Sequence, residues 1–494
     1  MSVAFSHWRC GRDYQIVDAG RLEDVTLFVS GNSRAIRVSR DLGERLRAGL
    51  EAMNAIEAAE WNLLADNGIV SEANIPVVRE ARISDGANLA INVNLTSVCN
   101  LGCTYCFADG GDYGRISGKL EGDIADDIFR FVQDRLHGEE SVRFEFFGGE
   151  PLLNFERISA MCARAEAVSN ETGIKFIHRI STNLTVLPEG ALELFARHGF
   201  IVSVSIDGCR ETHDRNRPTK GGRGSWDRII ANCRAVRAAG DDITLVARMT
   251  VMGGDPGMKE NVRALWDMNL FDYFQIYPGV VPRSIGQALD AKNGNFGQGT
   301  MAADFLDQLA EFVDGYSDLF NPDNRFRGVL EYERIADMVL RGKAALSFCS
   351  GGRNYFTFSP DHSIMPCHRL VGDTALQSGD SRTGIDATTL HDWRMPIDDH
   401  PVCSGCWIRY ICGGGCKQEN LQATGSLNSP SAEGCRHQIQ LVENVVGMLA
   451  AQDDSYRMRD RSQLDDLFVS CGRPVMLNFR NDAESPPLQH FQPL

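Results

Sequence analysis

The sequence predicts an α/β protein: a parallel sheet with helical crossovers, preceded by a small α+β unit and followed by a Cys-rich domain. Three observations predict it. From residue 87, apolar runs of strand length alternate six times with helical stretches. Before that point, short strands lead into a long helical pattern. Beyond residue 345, Cys349, Cys367, Cys403, Cys406, Cys412, Cys416 and Cys435 crowd one short region. The boundaries read as 1–86, 87–285, 286–345 (a helical bridge), 346–450 (the Cys-rich domain) and 451–494 (a charged, Pro-containing tail).

In the first unit, Tyr14–Val17, Val25–Val29 and Ala35–Val38 read as strands. Leu42, Leu46, Leu50, Met53, Ile56 and Leu63 set a helical period over 40–67. Such a unit either caps the next domain or docks a peptide added as a strand or helix. Strands follow at Leu89–Leu95, Val142–Phe147, Lys175–Ser181, Ile201–Ile206, Ile243–Val251 and Tyr273–Tyr277. Helices are expected over 121–136, 155–172, 189–198, 226–239 and 259–269. The bridge holds a Gly/Asn-rich linker, 293–299, then helices over 301–316 and 329–341. Active sites of parallel sheets lie at the carboxyl ends of the strands.

The chain has 494 residues and 43% hydrophobic content, ordinary for a globular protein. A net charge of −16 argues against nucleic acid as a partner. No apolar run is long enough for a membrane span, and the opening MSVAFSHWRCGRDYQ has no signal-peptide core. The expectation is a cytoplasmic protein whose 15 cysteines stay reduced. Ten of them fall into clusters, which in a reducing compartment means metal. Cys10, Cys162, Cys209, Cys233 and Cys471 lie outside and read as fillers or inert thiols.

Cys99, Cys103 and Cys106 have Cys-x3-Cys-x2-Cys spacing directly after the first barrel strand. Three thiolates in one loop mark a metal or redox site: an iron–sulfur cluster with one iron lacking a protein donor, or a zinc loop missing its fourth ligand. The loop, with Tyr105 before its third cysteine, resembles the signature of the radical SAM superfamily. The resemblance implies a partial (βα)6 TIM-like barrel. It also implies a [4Fe–4S] cluster chelated by S-adenosylmethionine, whose cleavage yields a 5′-deoxyadenosyl radical. Gly148, Gly149, Glu150 and Pro151 then match the motif that holds the methionine amino group. Ser181, Asn183 and Ser205 fall where relatives contact the cofactor. Asp207 ends strand four of the barrel and is carried as a catalytic candidate. Arg215 and Arg248 are further candidates for the cofactor carboxylate, Arg248 because a barrel Arg can clamp one in two-pronged fashion. Gly221–Gly224 reads as a flexible loop.

The second array, Cys349, Cys367, then Cys403, Cys406, Cys412, Cys416 and Cys435, would suit a zinc ribbon if met alone. Beside the first loop it resembles the SPASM domain, a C-terminal iron–sulfur domain with auxiliary clusters. That resemblance implies a distal cluster on Cys403, Cys406, Cys412 and Cys435. It implies a proximal one on Cys349, Cys367 and Cys416, with three clusters in all. Lys343 stands where some relatives have a fourth proximal cysteine, so one proximal iron is expected to be open to a substrate thiolate. His362 replaces a turn glycine. His368 is a candidate general base or a hydrogen-bond donor to cluster sulfur; His213 and Asp214 are weaker candidates.

Together the arrays resemble the thioether-forming maturases of Cys-rich peptides and of quinohemoprotein amine dehydrogenase. The implied substrate is a peptide or small Cys-containing protein, and the implied electron donor a flavodoxin or ferredoxin. Formylglycine formation, carbon–carbon cross-linking and a zinc-binding scaffold are the rival expectations.

Overall fold

The computed structural model describes residues 9–18, 24–49, 53–66, 69–70, 88–113, 118–138, 140–252, 255, 257–279, 305–320, 323–451, 464 and 476–478. Strands β1 (Tyr14–Val17), β2 (Asp24–Val29) and β3 (Arg34–Ser39) form an antiparallel meander. The continuous helix expected over 40–67 is instead two helices, α1 (Arg40–Ala48) and α2 (Ala55–Asp66). Ser39 Oγ caps α1 by accepting from Leu42 N at 3.2 Å. Gly49, at φ +112°, ends it. The break turns α2, so Trp61 and Leu64 are buried while Ile56, part of the expected apolar stripe, is 80% exposed. This unit packs on the Cys-rich region: Phe28 meets Trp407 edge-on at 5.4 Å, and Arg409 Nη1 donates to Arg12 O at 2.9 Å.

The six expected barrel strands are all present: β4 (Asn88–Asn94), β5 (Ser141–Phe147), β6 (Lys175–Thr182), β7 (Ile201–Ser205), β8 (Thr244–Val251) and β9 (Tyr273–Pro278). Each pairs in parallel with the next. The crossovers carry α3 (Gly122–Gln133), α4 (Phe155–Thr172), α5 (Ala191–Arg197), α6 (Arg210–Asn216), α7 (Trp226–Ala239) and α8 (Met258–Trp266). Val142, Phe144 and Phe146 alternate along β5 and pack into the large core shared with the helices. Glu145 on β5, Arg179 on β6, Ser203 on β7 and Gln275 on β9 are buried polar residues at the positions in between.

The sheet extends beyond these six strands at both edges. The bridge region, where only helices are expected, contains α9 (Phe305–Asp314), then β10 (Gly328–Val329), which pairs in parallel with β9, then α10 (Leu330–Arg341). Residues 293–299 lie outside the described residues. After β11 (Lys343–Ala345), β12 (Tyr355–Phe358) pairs in parallel with β4. It continues antiparallel into β13 (Ser363–Met365), β14 (Gly379–Asp380) and β15 (Gly384–Ile385). The result is one mixed sheet of eleven strands, mostly parallel. The Cys-rich region is thus joined to the barrel by backbone hydrogen bonds. It closes with α11 (Arg409–Cys412), α12 (Lys417–Thr424) and α13 (Ala432–Ala451). Part of the tail, β16 (Met476–Asn478), pairs with β11. No helix among the described residues is long and apolar enough to cross a membrane.

Candidate active site

The three-cysteine loop leaves the carboxyl end of β4, as expected, and packs directly on the turn after β5. Gly149 N donates to Thr96 O at 2.8 Å, and Glu150 N donates to Val98 O at 2.9 Å. A side chain at Gly149 would put its Cβ 2.4 Å from Val98 O, and Gly148 holds φ +130° against Thr96 O. Both glycines are therefore needed for the close approach.

Glu150 is fully buried. Its carboxylate accepts from Thr182 Oγ1 (2.6 Å), Leu152 N (3.1 Å) and Asn183 N (2.7 Å). Burial raises its pKa to about 7, against the pull of these donors. No Lys, Arg or His among the described residues forms an ion pair with it. A buried carboxylate without a counter-ion, beside a thiol loop, suits a ligand ammonium group.

The three thiols share one another's electrostatic field: burial raises the pKa of Cys99 and pushes that of Cys103 to about 12, and neighbouring thiols add to both. Each thiol has its own donor. Asn183 Nδ2 lies 3.7 Å from Cys99 Sγ, Arg217 Nη1 lies 3.8 Å from Cys103 Sγ, and Gly110 N donates to Cys106 Sγ at 3.4 Å. Among the described residues no three His, Cys, Asp or Glu side chains converge on a single ion. A cubane is larger than one ion and holds its thiolates further apart.

Other expected site residues divide into two groups. Ser181 Oγ donates to Glu145 Oε1 at 3.1 Å inside the barrel. Ser205 and Arg248 are register neighbours at the mouth, and the Arg248 guanidinium lies 5.6 Å from the Tyr277 ring. Arg215, expected on the cofactor, instead pairs with Asp255 and is half exposed, because it lies on the outer side of α6. Arg217, two residues on and past the end of α6, turns inward. The sequence pointed to Arg215 rather than Arg217, because two arginines two residues apart carry the same signal until the end of α6 separates them. Asp214 accepts from Ser225 N and Trp226 N at the start of α7, and His213 Nε2 meets Ser225 Oγ at 2.9 Å. Both have structural partners. Asp207 is held by three donors: Tyr105 OH (2.5 Å), Arg217 Nε (3.1 Å) and Thr250 N (3.1 Å).

The second array meets the first across an aromatic seam. His368 is buried, with Nδ1 2.9 Å from Tyr355 OH. Its ring lies 5.9 Å from Phe107 and 5.0 Å from Phe147. Tyr113 is near both Cys106 and Cys367, which together with burial raise its pKa, and its hydroxyl has no partner among the described residues. Arg369 lies 5.5 Å from the Phe107 ring, donates to Glu419 Oε1 at 2.8 Å, and stands 3.9 Å from Cys416 Sγ.

The thiols also sort electrostatically. Burial raises the pKa values of Cys403, Cys412 and Cys435, and neighbouring thiols of that same group add to each; burial also raises Cys349, with Cys416 adding to it. Lys417 is buried between the groups, near Cys349 and Cys403, and burial lowers its pKa to about 8. Lys343, at the position of the expected missing ligand, pairs with Asp337 at 2.7 Å. His362 does hold φ +65°, and its Nδ1 lies 2.9 Å from Ser381 Oγ. Cys162 and Cys233 are buried fillers. The described cysteines are all free, and Cys471 lies outside the described residues.

Residues 93–263 match the Radical SAM superfamily, a span that holds the three-cysteine loop and the Gly148–Pro151 turn. The chain carries a radical SAM domain. Beyond the domain, it is 22% identical over 332 residues to a cysteine-type anaerobic sulfatase-maturating enzyme of Clostridium perfringens, covering 65% of this chain and 87% of that one. It is 29% identical over 132 residues to a serine-type anaerobic sulfatase-maturating enzyme of Klebsiella aerogenes, covering 27% and 32%. The solved structure of native anSMEcpe with bound AdoMet has a TM-score of 0.59 at 18% identity, over 74% of this chain and 98% of that one. That likeness shows the fold: a mostly parallel central sheet consistent with a partial barrel.

The donor set fits the two groups a radical SAM domain uses. Cys99, Cys103 and Cys106 would hold a [4Fe–4S] cluster. Glu150, with the Gly148–Gly149 backbone, would hold the amino group of S-adenosylmethionine.

Proposed function

We propose that this protein is a radical SAM enzyme that modifies a ribosomally made peptide or small protein, forming intramolecular thioether links from cysteine sulfur to carbon. Cluster and S-adenosylmethionine, when bound, supply a 5′-deoxyadenosyl radical. The chain's own residues do the rest. Glu150 would orient the cofactor amino group, and Ser205 and Arg248, paired across β7 and β8, would lie on the substrate side of the site.

The observation that carries the thioether reading is the seam at Tyr113 and His368, which brings Cys367 of the second array against the radical-generating loop. On this reading Cys349, Cys367 and Cys416 would hold a proximal auxiliary cluster, and the ion-paired Lys343, offering no fourth donor, would leave room for a substrate thiolate to bind. Cys403, Cys406, Cys412 and Cys435 hold the distal cluster. Closing a C–S bond removes two hydrogens. One leaves carbon as a hydrogen atom, the other leaves sulfur as a proton, and auxiliary clusters held by these thiols would supply the acceptor for the remaining electron. His368, buried at the seam and next to Cys367 in sequence, is the proposed acceptor of that proton.

The sulfatase-maturating relatives favour a second reading, oxidation of Cys or Ser to formylglycine, which needs the same radical and the same electron exit. Mass spectrometry of product separates them. A thioether loses two hydrogens and a thiol that alkylating reagents would otherwise trap. Formylglycine yields a hydrazine-reactive aldehyde and no ring. An aldehyde product with no cross-link would sink the thioether proposal. A protein that cannot be reconstituted with iron and sulfide would sink both.

A further inference from the structure

Arg217 and Asp207 form a buried ion pair against one thiol of the cluster loop. Arg217 is 8% and Asp207 2% exposed. The Arg217 Nε donates to Asp207 Oδ2 at 3.1 Å, while its Nη1 lies 3.8 Å from Cys103 Sγ. The Tyr105 hydroxyl, from the loop itself, donates to the same Asp207 oxygen at 2.5 Å, and the guanidinium lies 5.2 Å from the Tyr105 ring. Thr250 N fixes the other carboxylate oxygen. The backbone locks the arrangement: Gly102 N donates to Pro218 O (2.8 Å), Thr104 N to Asn216 O (2.9 Å) and Ser225 Oγ to Arg217 O (2.8 Å). Cys99 and Cys106 are met by a neutral amide and a backbone N–H. Cys103 is the one thiol of the loop with a cationic donor among the described residues.

We infer that Arg217 and Asp207 are positioning residues that set the reduction potential of the cluster held by Cys99, Cys103 and Cys106. The inference rests on the radical SAM reading of that loop. Reduction adds one negative charge to a cluster in a low-dielectric site. A guanidinium beside a ligand thiolate favours the reduced state, and a carboxylate at the next position opposes it. The pair holds these opposed effects in a fixed ratio, and Tyr105 ties the ratio to the loop. A purely mechanical clamp would predict loss of cluster and no ordered change of potential.

The test is an anaerobic redox titration of the full-length reconstituted protein, followed by EPR. The relevant cluster is the one whose signal changes on adding S-adenosylmethionine and disappears in Cys99→Ala. Arg217→Gln removes a positive charge and is expected to shift the midpoint to more negative potential. Asp207→Asn removes a negative charge and is expected to shift it the opposite way. Tyr105→Phe and Arg217→Lys are milder probes that keep the packing volume and the cation, respectively. They are expected to move the midpoint less than Arg217→Gln, and they keep the question open to measurement if that variant does not fold. Unchanged midpoints, or shifts of the same sign in Arg217→Gln and Asp207→Asn, overturn the inference. A wild-type protein with no S-adenosylmethionine-responsive signal overturns the reading beneath it.

Discussion

On the proposed reading, the buried Glu150 carboxylate is held for the ammonium group of S-adenosylmethionine. Its three donors are all neutral, and burial opposes its ionisation. Glu150→Gln keeps the shape and removes the charge. A hydrogen bond to a charged group is worth roughly 1.5–3 kcal/mol, so S-adenosylmethionine binding to the reconstituted protein should weaken about 10- to 100-fold by equilibrium dialysis. The same residue gives a pH effect in the ligand-free protein. With its folded pKa raised to about 7, Glu150 binds its proton more tightly in the folded state than in the unfolded chain. That contribution is complete in acid and is lost as pH rises through 7. Comparing denaturant melts near pH 5 and pH 8, wild type should lose on the order of 3 kcal/mol more than Glu150→Gln. Equal pH dependence in the two proteins would refute the unpaired-carboxylate account.

At the scale of elements, β12 decides how the Cys-rich region is held. It adds to the barrel sheet beside β4, with Tyr355 opposite Ala90 and Phe358 opposite Val93. Phe358 is fully buried, its ring 5.2 Å from Phe131 of α3. Phe358→Ala should cost roughly 3–5 kcal/mol. Because the strand belongs to both parts, barrel and Cys-rich region should lose stability together. Two separate transitions, with only the C-terminal one displaced, would show that the shared sheet does not couple them. The N-terminal unit supplies a second coupling, since Phe28 packs on Trp407 next to Cys406. Of the two roles its sequence allows, packing on a neighbour is visible, and peptide docking is compatible with it.

Over the whole molecule, Tyr113 stands near thiols of both arrays, Cys106 and Cys367, and Lys417 near both Cys349 and Cys403. If each of the three thiol groups holds its own cluster, Cys403→Ala should lower bound iron by about a third and leave 5′-deoxyadenosine formation in place. Loss of all iron would mean that the sites assemble as one. Much of this was legible in the sequence. Six strands with buried alternate residues, the three-cysteine loop after the first of them and the Gly148–Pro151 turn are local patterns, fixed by periodicity and by spacing along the chain. Even the positive φ at His362 could be read from a turn that calls for glycine. Other features came from residues distant in sequence meeting in space. The break at Gly49 looks like any helical glycine until Trp61 and Leu64 take the buried side. The two-residue strand β10 is too short to carry a period. Arg215 and Arg217 share a charge and a neighbourhood in sequence, yet only the end of α6 sends one to solvent and the other to Cys103. The sequence by itself determined which atoms could bind a cluster, because ligand chemistry depends on residue type and short spacing. The tertiary structure alone decided which charges surround those atoms, because burial and ion pairing are set by strands and helices that the chain brings together over more than a hundred residues.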